Sequence, residues 1–390
     1  MSLFLSPPGS NAERSRAYNR GLVLGHVRRA GASGRAEIAR ASGLSTQAVS
    51  NIIGELVDEG WLYQAGRRVG GRGQPAVTYA IDGKAGVAFG LELRPDAVLC
   101  AVIDLEGRTI HTARAAVTCA TPPQVSPLVQ RLLAEALAAC GTDRGRVLGA
   151  GVVMPGPFGR TGVSGLSTEL PGWAGIDAEA HFGAALDLPV TVENDANAAA
   201  MFERISGVAA GLSTYAYLYF GSGIGLGLVH GGALFRGAHG NAGEIGHVLA
   251  PVGGQLRPLE QIASRMALAE RLRGSGEAAE TVADLERLFA ARHPATLDWI
   301  DSAAPALAHI IQILENLYDP EAVIIGGALP APVLEHLARR IELPTASIAN
   351  RADRTRPRLL AGAAGRMTAT LGAAALVINQ TLTPSLVLST

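Results

Sequence analysis

Twenty residues starting at Arg35, "RAEIARASGLSTQAVSNIIG", put the narrowest limits on what the amino-terminal part of this chain can be. Position five of that run is Ala39, position nine Gly43 and position fifteen Val49. Two short helices that cross closely need a small residue at the first of these, backbone freedom at the second and a β-branched apolar residue at the third. Ser45 suits the N-cap of the second helix. Val49, Ile52, Ile53 and Leu56 recur with helical period and predict its buried stripe. Thr46, Gln47, Ser50 and Asn51 then fall on the opposite side near its start, where short polar side chains reach base edges in a major groove. Upstream, "SRAYNRGLVLGHVRRAG" predicts a further helix with Leu22, Val23 and Val27 on its apolar side. Downstream, "GWLYQAGRRVGGRGQPAVTYAID" predicts two strands around a Gly- and Arg-rich tip. Arg67, Arg68, Arg72 and Gln74 at that tip, and Arg35 at the start of the helix pair, suit phosphates or a minor groove. The competing reading is a helical hairpin used for packing, with a basic loop beside it.

Charge is divided in the same way. Residues 1–84 hold 11 Lys+Arg against 6 Asp+Glu, a net of +5, and the rest holds 22 against 28, a net of −6. A basic head on an acidic body predicts that only the head meets a polyanion. At 390 residues the chain exceeds one ordinary core. Its apolar runs fall short of the roughly 18 residues of a membrane span. The start "MSLFLSPPGSNAERSR" lacks the basic and long apolar regions of a signal peptide. Cys100, Cys119 and Cys140 show no CxxC spacing, which fits a reducing cytoplasm and small core residues.

Beyond residue 85 the chain repeats one kind of unit. "AGVAFGLELRPDAVLCAVIDLEGRTIHTARAAV" predicts three strands, and so does "TYAYLYFGSGIGLGLVHGGALFRG" with its glycine turns. Helical stretches follow each, in "SPLVQRLLAEALAACG" and "PLEQIASRMALAERLRG".

The order of motifs carries a resemblance. The head through "GRGQPAVTYAID", followed by "GAGVVMPGP", "STELPGW", "LPVTVENDANAAA", "FGSGIGLG", "GGALFRGAHGNAGEIGH", "PLEQIAS" and "DPEAVIIGGA", resembles the ROK family (repressor, open reading frame, kinase) over nearly the whole length. The resemblance implies an N-terminal winged helix-turn-helix, residues 1–82, and a C-terminal α/β actin-like, RNase H-like fold of the two-lobed sugar-kinase type. The lobes would be residues 83–195 and 196–390, the last helix returning to the first lobe. It implies sugar-binding roles for Asn194 and Asp195 in "ENDAN", Glu244 and His247 in "GEIGH", and Glu260 in "PLEQIAS". Taken singly, these residues also suit a helix cap, a helix-terminal charge and a core histidine.

Two departures decide what the resemblance predicts. Kinase members open with a hairpin carrying Asp-x-Gly-Gly-Thr, whose backbone amides approach nucleotide phosphates. Here Glu92 is followed by Arg94-Pro95-Asp96. Pro95 has no N–H to donate, and two like charges about 4 Å apart repel by about 4 kcal/mol at a near-surface dielectric. Phosphoryl transfer depends mostly on positioning and charge stabilisation. Asp195 therefore keeps the place of a general base but is expected to accept a hydrogen bond from a bound hydroxyl. Many members also hold zinc through a histidine and a CxCGxxGC loop. "VLAPVGGQLRPLEQIAS" after His247 has no cysteine, so neither zinc nor another cofactor is expected. These readings predict a cytoplasmic, sugar-responsive DNA-binding regulator of the repressor type, a homodimer or dimer of dimers, that binds an operator duplex and no membrane. The alternatives are an active ATP-dependent sugar kinase joined to a DNA-binding head, and a regulator whose body answers to a protein.

Overall fold

The computed structural model describes residues 11–68, 76–156, 170–279 and 281–383. The chain falls into two compact units. One gathers residues up to Val152, Pro171–Val192 and those from Ala373 on; the other holds Val153–Leu170 and Glu193–Gly372.

The first unit begins with α1 (Asn11–Ala30), β1 (Ser33–Gly34), α2 (Arg35–Ser42), α3 (Thr46–Asp58), β2 (Leu62–Arg68) and β3 (Ala76–Ile81). The three strands form a small sheet in the order β1-β3-β2. α2 ends because Gly43 takes a left-handed backbone, φ 71°, with its N–H donating to the Ala39 carbonyl at 3.0 Å. α3 starts because the Ser45 side chain accepts from the Ala48 N–H at 3.2 Å. Val49, Ile53 and Leu56 are fully buried and Ile52 nearly so. In α1 the buried residues are Val23, Leu24 and Val27, whereas Leu22 is only half-buried. Val23 and Val27 are thus buried as expected, while Leu24 rather than Leu22 completes the apolar side, which packs on α2, α3 and β3.

The same unit continues with β4 (Val87–Arg94), β5 (Ala97–Asp104), β6 (Thr109–Ala116), α4 (Pro122–Cys140), β7 (Val147–Val153), α5 (Ala178–Leu186) and β8 (Val190–Glu193), the last residue of β7 and of β8 falling in the second unit. β4, β5 and β6 form an antiparallel meander, and the sheet order is β6-β5-β4-β7-β8. Cys100 is buried in β5, but Cys119 and Cys140 are partly exposed. The core role expected for all three cysteines holds for one.

The second unit contains α6 (Asp195–Ser206), β9 (Tyr215–Phe220), β10 (Ile224–His230), β11 (Ala233–Leu234), β12 (Leu249–Val252), β13 (Gln255–Pro258), α7 (Leu259–Ala263), α8 (Arg265–Gly274), α9 (Val282–Ala290), α10 (Pro294–Tyr318), β14 (Ala322–Gly327), α11 (Ala331–Arg340) and β15 (Leu359–Ala364). Its main sheet runs β11-β10-β9-β14-β15, with β9, β10 and β11 antiparallel and β14 parallel to both its neighbours. In both units, then, a meander lies to one side and two later strands lie beyond the meander's first strand. The repeated order is that of the actin-like fold. Leu218, Phe220, Ile262, Trp299, Leu307, Val323 and Ile325 sit in one core beneath the second sheet.

α12 (Thr368–Leu382) begins in the second unit and from Ala373 belongs to the first. Among the described residues no helix is long and apolar enough to cross a membrane.

Candidate functional site

The strand-to-helix junction at β8 and α6 sets the centre of the site. Asn194 is the N-cap of α6, its side-chain oxygen accepting from the Asn197 N–H at 2.8 Å. With that oxygen engaged, the amide N–H2 is what Asn194 has left to donate to a ligand. Asp195 opens the helix, its Oδ1 accepting from the Ala196 N–H at 2.9 Å. Helix N-termini favour a negative charge there.

The glycines of "GSGIGLG" do more than turn the chain. A Cβ on Gly225 would come 2.7 Å from the Ala196 Cβ, and one on Gly227 equally close to the Ala200 Cβ. Their bareness lets α6 lie against β10. A Cβ on Gly221 would lie 3.2 Å from the Asp195 Oδ2, and one on Gly223 3.1 Å from a Glu260 oxygen. These glycines leave room around two of the predicted carboxylates.

Glu244 and His247 bracket a single 3-10 turn, Ile245–His247. His247 is no core histidine. Its side chain is 40% exposed and stands between two carboxylates, with Nε2 4.0 Å from Glu244 and Nδ1 3.8 Å from Glu260. Glu260 lies in the first turn of α7, whose start is tied back by the Leu259 N–H donating to the Val248 carbonyl at 2.9 Å. Burial pushes the Glu244 carboxyl above its ordinary range, the charge of Glu260 adds to this, and His247 works against it. The Cβ position at Gly156 lies 3.8 Å from a Glu244 oxygen and 3.9 Å from the Asn194 Cβ. The structure therefore gathers Asn194, Asp195, Glu244, His247 and Glu260 into one cluster of acceptors and donors. Such a set can satisfy a ring of hydroxyls, and it disfavours a molecule lacking them because its own polar groups would stay unpaired.

Sequence reasoning passed over Glu193 and Arg236 as a pair. The Glu193 side chain is 3% exposed and is ion-paired with Arg236. Glu193 opens the "ENDAN" motif, but nothing local marks Arg236, which is 43 residues away in sequence. A hollow of about 570 Å³ lined by Pro251, Val252, Arg271, Asp298 and Asp301 lies apart from all these residues. Asp301 is already bound to Arg340 at 2.5 Å. Chemistry rather than volume picks out the site.

The hairpin between β4 and β5 turns at Pro95 and Asp96. Arg94 Nε donates to the nearly buried Glu92 at 2.6 Å, and Asp96 pairs with Arg114 at 3.0 Å. Arg94, the cation of this hairpin, is thus engaged by the hairpin's own carboxylate. No group of three or more His, Cys, Asp or Glu able to hold a metal ion occurs among the described residues.

In the head, Ser45, Thr46, Gln47 and Asn51 are exposed and Ser50 is half-buried. Gln47 Nε2 donates to the Asn51 side chain at 3.0 Å, so the two already lie on one face. Arg35 is exposed, with its guanidinium 4.9 Å from the Tyr79 ring centre. Arg67 is exposed. Arg68 reaches Glu37 at 3.1 Å and ties the second strand of the small sheet to the first turn of α2. Arg72 and Gln74 lie outside the described residues.

The comparisons with known proteins agree with this architecture. The xylose repressor of Bacillus spizizenii is 23% identical over 317 residues, covering 80% of this chain and 82% of that protein. A ROK family transcriptional regulator, described as a homologue of the Escherichia coli Mlc protein, superposes with a TM-score of 0.69 at 23% identity over 95% of this chain and 98% of its own. The ROK hexokinase of Thermus thermophilus gives a TM-score of 0.57 at 27% identity, covering 74% and 97% respectively. The model of the ROK family matches residues 88–380, and the chain belongs to that family.

Proposed function

We propose that this protein is a sugar-responsive transcriptional regulator of the repressor type. Residues 1–82 read a DNA operator, and the remainder, in two lobes divided near residue 195, senses an uncharged sugar or sugar derivative without phosphorylating it. The observation that carries this reading is a pairing of opposites. The five polyol-type residues are assembled, while the hairpin that would approach nucleotide phosphates carries Arg94-Pro95-Asp96, with Arg94 held by Glu92. Relatives named xylose repressor support the regulatory half. The capped α3, with Thr46, Gln47 and Asn51 outward, supports the DNA-reading half. Two-fold pairing follows for a helix-turn-helix that reads palindromic half-sites, as a homodimer or a dimer of dimers. Work on DNA places it in the cytoplasm. Sugar controls DNA affinity only insofar as it binds the DNA-competent and DNA-incompetent states with different affinity.

The test is titration of the full chain with duplex DNA selected from a random pool, with and without D-xylose, D-glucose, N-acetylmannosamine or sucrose, alongside an ADP-release assay with the same sugars and ATP. A sugar-dependent change in duplex affinity without ADP release is expected. Sugar-dependent ADP release with duplex affinity indifferent to every sugar favours instead a kinase with a DNA-binding head. The intact Asp195 and the "GSGIGLG" run speak for that second reading.

A further inference from the structure

We infer that Glu193 and Arg236 are the positioning pair of the sugar site, an inference that rests on the sugar-sensing reading above. Glu193 immediately precedes Asn194, and its surroundings hold it on three sides. One carboxylate oxygen accepts from Arg236 Nε, the other accepts from Asn197 Nδ2 at 2.9 Å, and the backbone carbonyl accepts from the Met154 N–H at 3.1 Å. A buried carboxylate is tolerated only when paired and hydrogen-bonded, so this one has a single favourable arrangement.

Arg236 stands at the start of the loop that delivers Glu244 and His247. The loop closes on itself where the Ala242 N–H donates to the Arg236 carbonyl at 3.1 Å. Its far end is fixed where the Leu226 N–H donates to the Gly243 carbonyl at 3.0 Å, and Glu244 follows at once. At the near end the backbone tie is the Phe235 N–H on the Leu228 carbonyl, 2.8 Å, back to β10. Both backbone ties therefore run to β10. The Arg236 side chain is a link that runs instead to the β8–α6 junction, where Asn194 and Asp195 sit. The planar guanidinium fixes direction as well as distance. Arg236 is 47% exposed, so its charge is partly screened and its effect falls on the geometry of the site more than on global stability. Outer residues that hold ligand-binding groups in place commonly matter by about 10-fold or more.

The experiment is calorimetric titration of the full chain with D-xylose, D-glucose, N-acetylmannosamine and sucrose, using for the variants whichever binds the unaltered protein most tightly. Arg236→Ala is expected to weaken that sugar about 10-fold and, because it leaves the buried Glu193 charge without its cation, to lower the melting temperature, with duplex affinity in the absence of sugar unchanged; the double variant below should regain the melting temperature but not the sugar affinity. Arg236→Lys should recover part of the loss. Glu193→Gln combined with Arg236→Ala, which removes both charges, should lose no more than Arg236→Ala alone. Sugar binding at the unaltered strength in Arg236→Ala and in the double variant overturns the inference. So does a loss of sugar affinity in both that is matched by losses of melting temperature and duplex affinity, which is the mark of a merely structural pair. If none of the four sugars binds the unaltered protein, the sugar-sensing reading itself fails, and the inference with it.

Discussion

Gly372 lies directly on the carbonyl oxygen of Ala198. A Cβ at residue 372 would occupy the space of that oxygen, and neither helix backbone can easily give way. α12 therefore packs on α6, the helix that carries Asn194 and Asp195, through a position that tolerates no side chain. Gly372→Ala is expected to destabilise the protein by about 3 kcal/mol, in the range of overpacked cores. Thermal unfolding with and without sugar checks this; a melting temperature within a degree of the unaltered protein would show that the helices can part without cost.

In the head, two substitutions should have effects of different kind. Arg67→Ala removes an exposed cation that suits a phosphate, so binding should weaken for most duplexes and the salt dependence should fall by about one counterion. Gln47→Ala removes a side chain on the outward face of α3, so preference at one base pair should relax by about 1–3 kcal/mol with the salt slope unchanged. Binding to a selected duplex and its single-base variants, at several salt concentrations, separates the two.

Arg20 holds α1 to α3. Its side chain is 4% exposed and reaches Glu55 at 3.3 Å and Glu59 at 2.5 Å. The partners are themselves about a third exposed or more, which reduces the value of the pairing. Arg20→Ala should still cost about 2 kcal/mol, because packing of the long side chain goes with the charge. Denaturant unfolding of the full chain should show the loss, and sugar affinity should not change.

Glu244 is expected to give the sugar response a pH dependence. An ionised carboxyl accepts hydrogen bonds from hydroxyls more strongly than a protonated one, and burial together with Glu260 raises its pKa. On acidification, sugar affinity should begin to fall at a higher pH than an ordinary carboxylate would give. The stability contribution of the same group has the opposite sign. A raised folded-state pKa favours the protonated form, so that contribution is fully present below the unfolded pKa and is lost as pH rises through the folded one. Calorimetric titration between pH 7.5 and 5 checks the first effect, which Glu244→Gln should flatten. Glu244→Ala should abolish the sugar response and leave duplex binding intact.

What the sequence revealed in advance was what neighbouring residues decide among themselves. Gly43, Ser45 and the stripe from Val49 to Leu56 act within a few residues of one another, and the structure places them as their spacing implies. The two meanders were readable for the same reason. The stretch that forms β12 and β13 carries no strand expectation above, although Gly253 and Gly254, with φ of 56° and 78°, form the tight turn that joins antiparallel strands. Pro251 and Pro258 hide the alternation on either side. "PLEQIASRMALAERLRG" was read as one helical stretch, but buried Ser264 breaks it and caps α8 through the Ala267 N–H at 3.0 Å. In the site, motif order picked out five residues that the structure brings together. Glu193 with Arg236 was invisible, because such a pairing exists only once β8 and the loop after β11 have been brought together.

α12 has one further implication. Its first turn is core to one compact unit and its remainder is core to the other. Each unit therefore takes part of its interior from a helix that follows every other described element in sequence, and neither interior is finished until that helix is in place. A chain cut short ahead of Thr368 would leave two unfinished interiors rather than one sound half and one damaged half.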